Sequence, residues 1–146
     1  MLDFVTDRTQ ADVDRVNELS AKGWDNMTAE EQAEWSAGLK GAYNYTDFNR
    51  VETAVAHLSE KFDLSLTTQT NWTKWDIPKQ SDIDRFMGNI VAVRAVASVY
   101  TATPNTPTSM NRLTYTLAND IEKILKDITT IEPTLFRFGE LYCGEV

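Results

Sequence analysis

Two stretches of the chain repeat apolar residues at spacings of three and four, and both open with one polar pattern. Tyr45 to Glu52 and Tyr115 to Glu122 both read YTxxNx[VI]E. The apolar positions are Phe48, Val51, Val55, Leu58 and Phe62 in the first stretch, and Ala118, Ile121, Leu125 and Ile128 in the second. Residues spaced in this way share one face of a helix. The pattern therefore predicts two related amphipathic helices that pack together and form the core.

The repeated pattern also places three polar residues one helical turn apart, beside each apolar face. They are Tyr45, Asn49 and Glu52 in the first stretch, and Tyr115, Asn119 and Glu122 in the second. On a helix each trio forms a polar ridge. We interpret both ridges as structural, with hydrogen bonds near the starts of the helices.

Cap residues followed by an acid three positions later indicate the starts of three further helices. The pairs are Thr9 with Asp12, Thr28 with Glu31, and Ser81 with Asp84. The first of these helices ends at Gly23, the second covers residues 29–37, and the third reaches about residue 100. The helix that carries the first repeat is capped by Thr46 and extends to about residue 62. The helix of the second repeat begins between residues 109 and 116 and ends near residue 130, before Pro133.

Two segments depart from the helical spacing. Residues 63–80 form a long loop, and the tail, residues 135–146, alternates apolar and polar residues as an extended arm or a β-hairpin does. The predicted fold is mainly α: a single-domain bundle of about five helices with an extended or β-like C-terminal arm. Residues 1–134 form the helical domain, in which residues 1–7 are a short N-terminal arm.

Aromatic residues in the loop and the tail are candidate contacts with a partner. Trp72 and Trp75 either tuck against the core, which is the favoured interpretation because large aromatics gain from burial, or form an exposed contact surface. In the tail the candidate partner contacts are Phe136, Phe138, Leu141 and Tyr142. An isolated hairpin is marginally stable in water, so this tail needs a partner in the domain, in the N-terminal arm or in another chain.

Composition and charge narrow the classes of function. The chain has 146 residues, of which 42% are hydrophobic, enough for one sizeable core. Its formal net charge of −8 opposes binding to nucleic acid, because such binding needs clustered Lys and Arg. No apolar run approaches the roughly 20 residues that span a bilayer, so no membrane association is predicted. The N-terminus has no basic signal region, and we expect synthesis in the cytosol.

No set of residues in the sequence points to catalysis. His57 is the only histidine, so no histidine pair can hold a metal, and neither a nucleophile elbow nor a glycine-rich phosphate loop is present. Glu52 and Glu122 could act as the paired carboxylates of a glycoside hydrolase. Their symmetric placement after Tyr and Asn favours a structural role instead. We therefore predict no enzyme activity, no catalytic residue, no metal and no cofactor.

Four separated segments resemble a family of small structural proteins of tailed phages and prophages of Gram-positive bacteria. They are FVTDRTQADVDRVNEL, NMTAEEQAEWSAGLKGAYNYTDFNRVE, SMNRLTYTLANDIEKIL and GELYCGE. The resemblance implies a virion component, made in the bacterial host cytoplasm, at the tail tip, baseplate or fibre attachment. It also implies that the chain joins other tail or fibre proteins, and such structural proteins usually form homo-oligomers. The alternative function is recognition of wall carbohydrate on the host surface through Trp72 and Trp75.

Overall fold

The computed structural model describes the backbone of residues 1–144 and the side chains of residues 1–133. Five α-helices and one 3-10 turn follow one another in the chain. They are α1 (Gln10–Lys22), the turn Trp24–Asn26, α2 (Ala29–Ala37), α3 (Tyr45–Lys61), α4 (Gln80–Val96) and α5 (Tyr115–Gly144). None of residues 1–144 lies in a strand. The predicted mainly α bundle is therefore confirmed.

Most helix starts follow the predicted cap chemistry. Thr9 and Thr28 are N-caps, and the backbone N–H of each donates to the acid three residues later, at 2.7 and 2.8 Å. Asn44 and Lys79 cap α3 and α4 in place of the predicted Thr46 and Ser81. In both helices the acid three residues after the observed cap, Asp47 or Asp82, accepts the hydrogen bond of the cap N–H. These starts lie two residues before the predicted caps, and α4 ends at Val96 rather than near residue 100.

The core lies between α3, α4 and α5, and each of these helices contacts the other two. The two helices of the repeated pattern, α3 and α5, therefore pack together as predicted. The buried core side chains are Phe48, Val51, Ala54, Val55, Leu58, Trp72, Phe86, Ile90, Val93, Ile121, Ile124, Leu125 and Ile128. The Phe48 ring contacts three other rings, with centroids 5.1 Å from Phe86, 5.2 Å from Tyr43 and 5.5 Å from Trp72.

α1 and α2 form a smaller helical hairpin with its own apolar cluster of Leu19, Met27 and Leu39. The backbone of α1 approaches the segment between α2 and α3 very closely at Gly41. A Cβ atom at this position would lie 2.1 Å from the carbonyl oxygen of Asp12. Only glycine fits there without moving the α1 backbone.

α5 differs from its predicted end. Its backbone passes through Pro133 and stays helical to Gly144, where the sequence predicts an extended or β-like arm from residue 135. An extended arm needs a strand partner for its N–H and C=O groups, whereas a helix satisfies these groups within itself. No strand among residues 1–144 could pair with such an arm. The side chains of the predicted tail contacts lie outside the described part of the chain.

Candidate functional site

The polar ridge of α3 holds the long loop by its backbone. Asn49 Nδ2 donates to the Trp72 carbonyl oxygen at 2.8 Å, and Asn49 Oδ1 accepts from the Trp72 N–H at 2.7 Å. One turn later, Glu52 Oε2 accepts from the Gln69 N–H at 2.8 Å. We call Asn49 and Glu52 the α3 clamp. Because it bonds two points three residues apart, the clamp fixes an extended segment that has no backbone partners of its own.

The carboxylate of Glu52 is also paired with a guanidinium. Arg85, on α4, donates from Nη1 to Oε2 at 2.6 Å and from Nη2 to Oε1 at 2.8 Å. The indole Nε1 of Trp72 donates to Oε1 at 3.4 Å. Hydrogen bonding to Glu52 raises the pKa of Arg85 above its ordinary value. Glu52 is buried, and this pairing compensates the loss of its hydration.

The polar ridge of α5 holds the N-terminal arm in the same way. Asn119 Oδ1 accepts from the Arg8 N–H at 3.1 Å, and Asn119 Nδ2 donates to the Arg8 carbonyl oxygen at 3.0 Å. Glu122 Oε2 accepts from the Val5 N–H at 2.7 Å. We call Asn119 and Glu122 the α5 clamp. The arm of residues 1–7 is therefore held on the core of its own chain.

Glu122 lies at the centre of a buried network of four charged side chains. Arg50 donates to both of its oxygens, at 2.8 Å from Nε and 2.7 Å from Nη2, and Arg8 donates to Oε1 at 2.7 Å. Both guanidinium groups also bond to Asp47 Oδ1. Hydrogen bonding to Glu122, and then to Asp47, raises the pKa of Arg50 above its ordinary value. Two cations and two anions balance one another in this network.

The two clamps share one design. In each, the Asn side chain bonds to both the N–H and the C=O of one residue, and the Glu carboxylate accepts from the N–H of the residue three positions earlier. On α4, Arg94 Nε donates to the Pro104 carbonyl oxygen at 3.0 Å.

The clamp geometry corrects part of the sequence interpretation. The Asn and Glu residues of the two ridges bond to segments far away in the chain, rather than near the starts of their own helices. Tyr45 is exposed and Tyr115 partly exposed, each at the first residue of its helix. Both oxygens of Glu52 and of Glu122 accept hydrogen bonds, and the two side chains are buried. The carboxylates are thus arranged as structural acceptors.

Sequence reasoning missed the cations of these networks. Arg8 lies directly after the predicted N-terminal arm of residues 1–7, and it is 4% exposed. Arg50 falls within the first copy of the repeated pattern, where the second copy has Asp120. The opposite charges of Arg50 and Asp120, at the same position of the two copies, are the one feature of the sequence that could have indicated these networks. It indicates that the two helices have different charged neighbours.

The two tryptophans of the long loop have different environments. Trp72 is 6% exposed and packs against Phe48, so it belongs to the core and cannot act as a partner contact. Trp75 is 80% exposed. The two residues therefore need different interpretations. Trp72 is buried against the core, as the sequence favours for both, whereas Trp75 is exposed. Within the core, the indole N–H of Trp72 donates to the buried carboxylate of Glu52.

Trp75 lies on a turn that is fixed by side-chain hydrogen bonds. Asp76 Oδ2 accepts from the Thr73 N–H at 2.7 Å and from Thr73 Oγ1 at 2.8 Å. These bonds lower the pKa of Asp76. Lys74 Nζ lies 4.8 Å from the centroid of the Trp75 ring. Next along the chain, Ile77 is 86% exposed. We call residues 73–77 the tryptophan turn.

α4 exposes a second apolar surface. Phe86, Ile90 and Val93 face the core, while Val91 and Val96 are half-exposed. Tyr100, after the end of the helix, is also half-exposed. These exposed side chains give α4 an apolar surface that does not face the core.

Other chemical groups form no recognisable centre in the described region. His57 is partly buried in the middle of α3. Among the residues that the structure describes, no group of three or more His, Cys, Asp or Glu could hold a metal ion. Over the same residues, no helix is both long enough and apolar enough to cross a membrane.

Comparison with protein-family models, curated proteins and solved structures gives no match to this chain.

Proposed function

We propose that this chain is a non-enzymatic structural module of a phage virion, which joins neighbouring subunits at the tail tip, baseplate or fibre attachment. The resemblance of four sequence segments to phage structural proteins supports the phage assignment. The clamps support a structural role, because their buried polar groups serve to hold the chain together. The partners are other tail or fibre proteins and further copies of this chain.

The tryptophan turn is the observation that carries the joining function. Trp75 and Ile77 are large apolar side chains, and both are more than three-quarters exposed. Tryptophan is among the residues that contribute most to binding energy at protein interfaces. A turn fixed by Thr73 and Asp76 presents it with little loss of conformational entropy on binding.

We infer that the tryptophan turn of one copy packs on the exposed surface of α4 in the next copy. Gly88, Val91, Ala95 and Val96 are exposed, and none of them carries a charge. Two chains of net charge −8 repel one another, so association is least opposed through uncharged surfaces. A module with two separate apolar surfaces can contact two neighbours at once.

Sedimentation velocity of the purified chain tests the joining function. We expect association at concentrations of tens of micromolar, and a more than tenfold weaker association for the double variant Trp75→Ser with Ile77→Ser. The matched control is Trp24→Ser, which removes a half-exposed tryptophan outside both surfaces. A wild-type chain that stays monomeric at millimolar concentration, or equal association of both variants, would contradict the proposal.

Antibody labelling of intact particles tests the location. A particle that encodes this chain should bind the antibody at the end of its tail. Labelling confined to the capsid, or its absence from purified particles, would contradict a tail location.

A further inference from the structure

Three surface aromatic residues border two cavities that share one wall. Trp35 and Tyr45 line a cavity of about 390 Å³, and Trp24 and Trp35 line another of about 140 Å³. Each of the three side chains is between one-third and one-half exposed. We call this surface the aromatic groove. Trp35 lines both cavities and so joins the two parts of the groove.

Polar groups surround the rings of the aromatic groove. The larger cavity is also lined by Ser36, Thr46, Thr73, Lys74 and Asp76, and the smaller one by Ser20. Four of these residues carry hydroxyl groups, which can both donate and accept hydrogen bonds. One lysine and one aspartate give the lining no net charge. The groove therefore combines flat apolar faces with neutral hydrogen-bonding groups.

The walls of the groove are fixed before any ligand binds. Asn44 Nδ2 donates to the carbonyl oxygens of Leu39 and Ala42, both at 3.0 Å. Gln32 Nε2 donates to the Trp24 carbonyl oxygen at 3.0 Å. On the opposite side, the Thr73–Asp76 hydrogen bonds fix the tryptophan turn. A preformed site of this kind loses little entropy on binding.

We propose that the aromatic groove binds a neutral oligosaccharide. Sugar rings have apolar C–H faces that pack on aromatic rings, and hydroxyl groups that bond to serine, threonine and carboxylate side chains. A surface lined by several aromatic rings and by hydroxyl groups suits a chain of linked sugars. The net charge of −8 opposes a polyanionic glycan. Thr73, Lys74 and Asp76 of the tryptophan turn form part of the wall, but neither Trp72 nor Trp75 lines the groove. The proposal does not depend on the joining function.

A proline-rich peptide is the other ligand that packs on aromatic rings. Such peptides dock in grooves whose walls are mainly apolar, whereas six of the ten residues that line the larger cavity have polar side chains with hydroxyl, amide or charged groups and a seventh is Tyr45. The lining therefore favours the sugar.

Two-dimensional NMR of the indole N–H groups tests this proposal in the full chain. The four tryptophans give four signals, which single Trp→Phe variants assign. The probes are chitotriose, cellotriose and maltotriose, each titrated to 10 mM. We expect at least one trisaccharide to shift the Trp24 and Trp35 signals. The Trp72 signal, from an indole N–H bonded to Glu52, should stay in place and also reports that the fold is intact.

Variants then locate the binding site. Trp35→Ala and Tyr45→Ala should each weaken binding at least tenfold while the Trp72 signal is retained. Trp75→Ala is the matched control, since it removes a more exposed indole that lines neither cavity. No shift with any of the three trisaccharides, or undiminished binding by Trp35→Ala, would overturn the proposal. Shifts of the same signals by a proline-rich decapeptide, without any by the sugars, would overturn it in favour of peptide binding.

Discussion

Replacing Glu122 with glutamine removes the negative charge at the centre of the buried network. The side chain keeps its shape, so the change tests charge and hydrogen bonding rather than packing. Glu122 is 0% exposed and accepts four hydrogen bonds, from Val5, Arg8 and twice from Arg50. Glutamine presents an NH₂ group where the carboxylate accepts a guanidinium hydrogen bond. Only Asp47 then remains as a charge partner for both arginines.

The expected loss follows from the burial of these charges. Removing one partner of a buried ion pair costs about 3–5 kcal/mol, because the remaining charge stays desolvated and unpaired. Arg8 is fully enclosed, but the side chain of Arg50 is 18% exposed and can recover some hydration. We therefore expect about 3 kcal/mol for Glu122→Gln. Domains of this size are stable by about 5–15 kcal/mol, so the variant should fold with reduced stability.

Urea unfolding, followed by tryptophan fluorescence, measures this loss. With an m-value of about 2 kcal/mol/M, the midpoint should fall by about 1–2 M. The matched control is Glu34→Gln, which breaks the Arg15–Glu34 pair on the surface and should hardly change the midpoint. If Glu122→Gln shifts the midpoint no more than Glu34→Gln does, the buried network does not stabilise the fold as inferred.

Further predictions concern the clamps, two glycines and pH. Asn49→Ala should lower the free energy of unfolding by about 1–3 kcal/mol in urea titrations, since it leaves a backbone N–H and a C=O unpaired; an unchanged midpoint would exclude the α3 clamp. Gly41→Ala should destabilise the fold because its Cβ meets the α1 backbone, whereas Gly88→Ala, exposed within α4, should raise the thermal midpoint; the reverse order would refute this packing. Hydrogen bonds from Thr9 and Thr73 lower the pKa of Asp12 and Asp76 below 3.8 in the folded chain. As the pH falls, these two carboxylates are therefore protonated at a higher pH in the unfolded chain than in the folded one. Stability should then fall as the pH decreases through and below about 4, and unfolding free energies that rise over this range would contradict the assignment.

The regular part of the fold could be predicted because its signals are local. The spacing of Phe48, Val51 and Val55 places them on one face of a helix, whatever they pack against. The caps Thr9 and Thr28 have their acids within three residues, so short windows of sequence contain both partners. The observed boundaries of α4 differ from the predicted ones by a few residues, because helix ends depend on the neighbouring segments.

The clamps could not be predicted in detail because their partners are distant in the chain. Asn119 bonds to Arg8, 111 residues earlier, and Glu122 bonds to Arg50, 72 residues earlier. A repeated polar pattern shows that two helices share a role, but it does not identify the segment that each one holds. The same limit applies to the two tryptophans of the loop: Trp72 is buried against Phe48 and Glu52 of α3, whereas Trp75, three residues later, is 80% exposed.

Hydrogen exchange of four backbone amides tests most directly that the repeated Asn and Glu residues fasten extended segments to the core. The amides are those of Val5, Arg8, Gln69 and Trp72, each donated to a clamp side chain. We predict exchange that is slow in native conditions, with opening free energies that approach global unfolding, although none of these residues lies in a helix. Exchange of these amides at the rate of an unprotected chain would contradict the account.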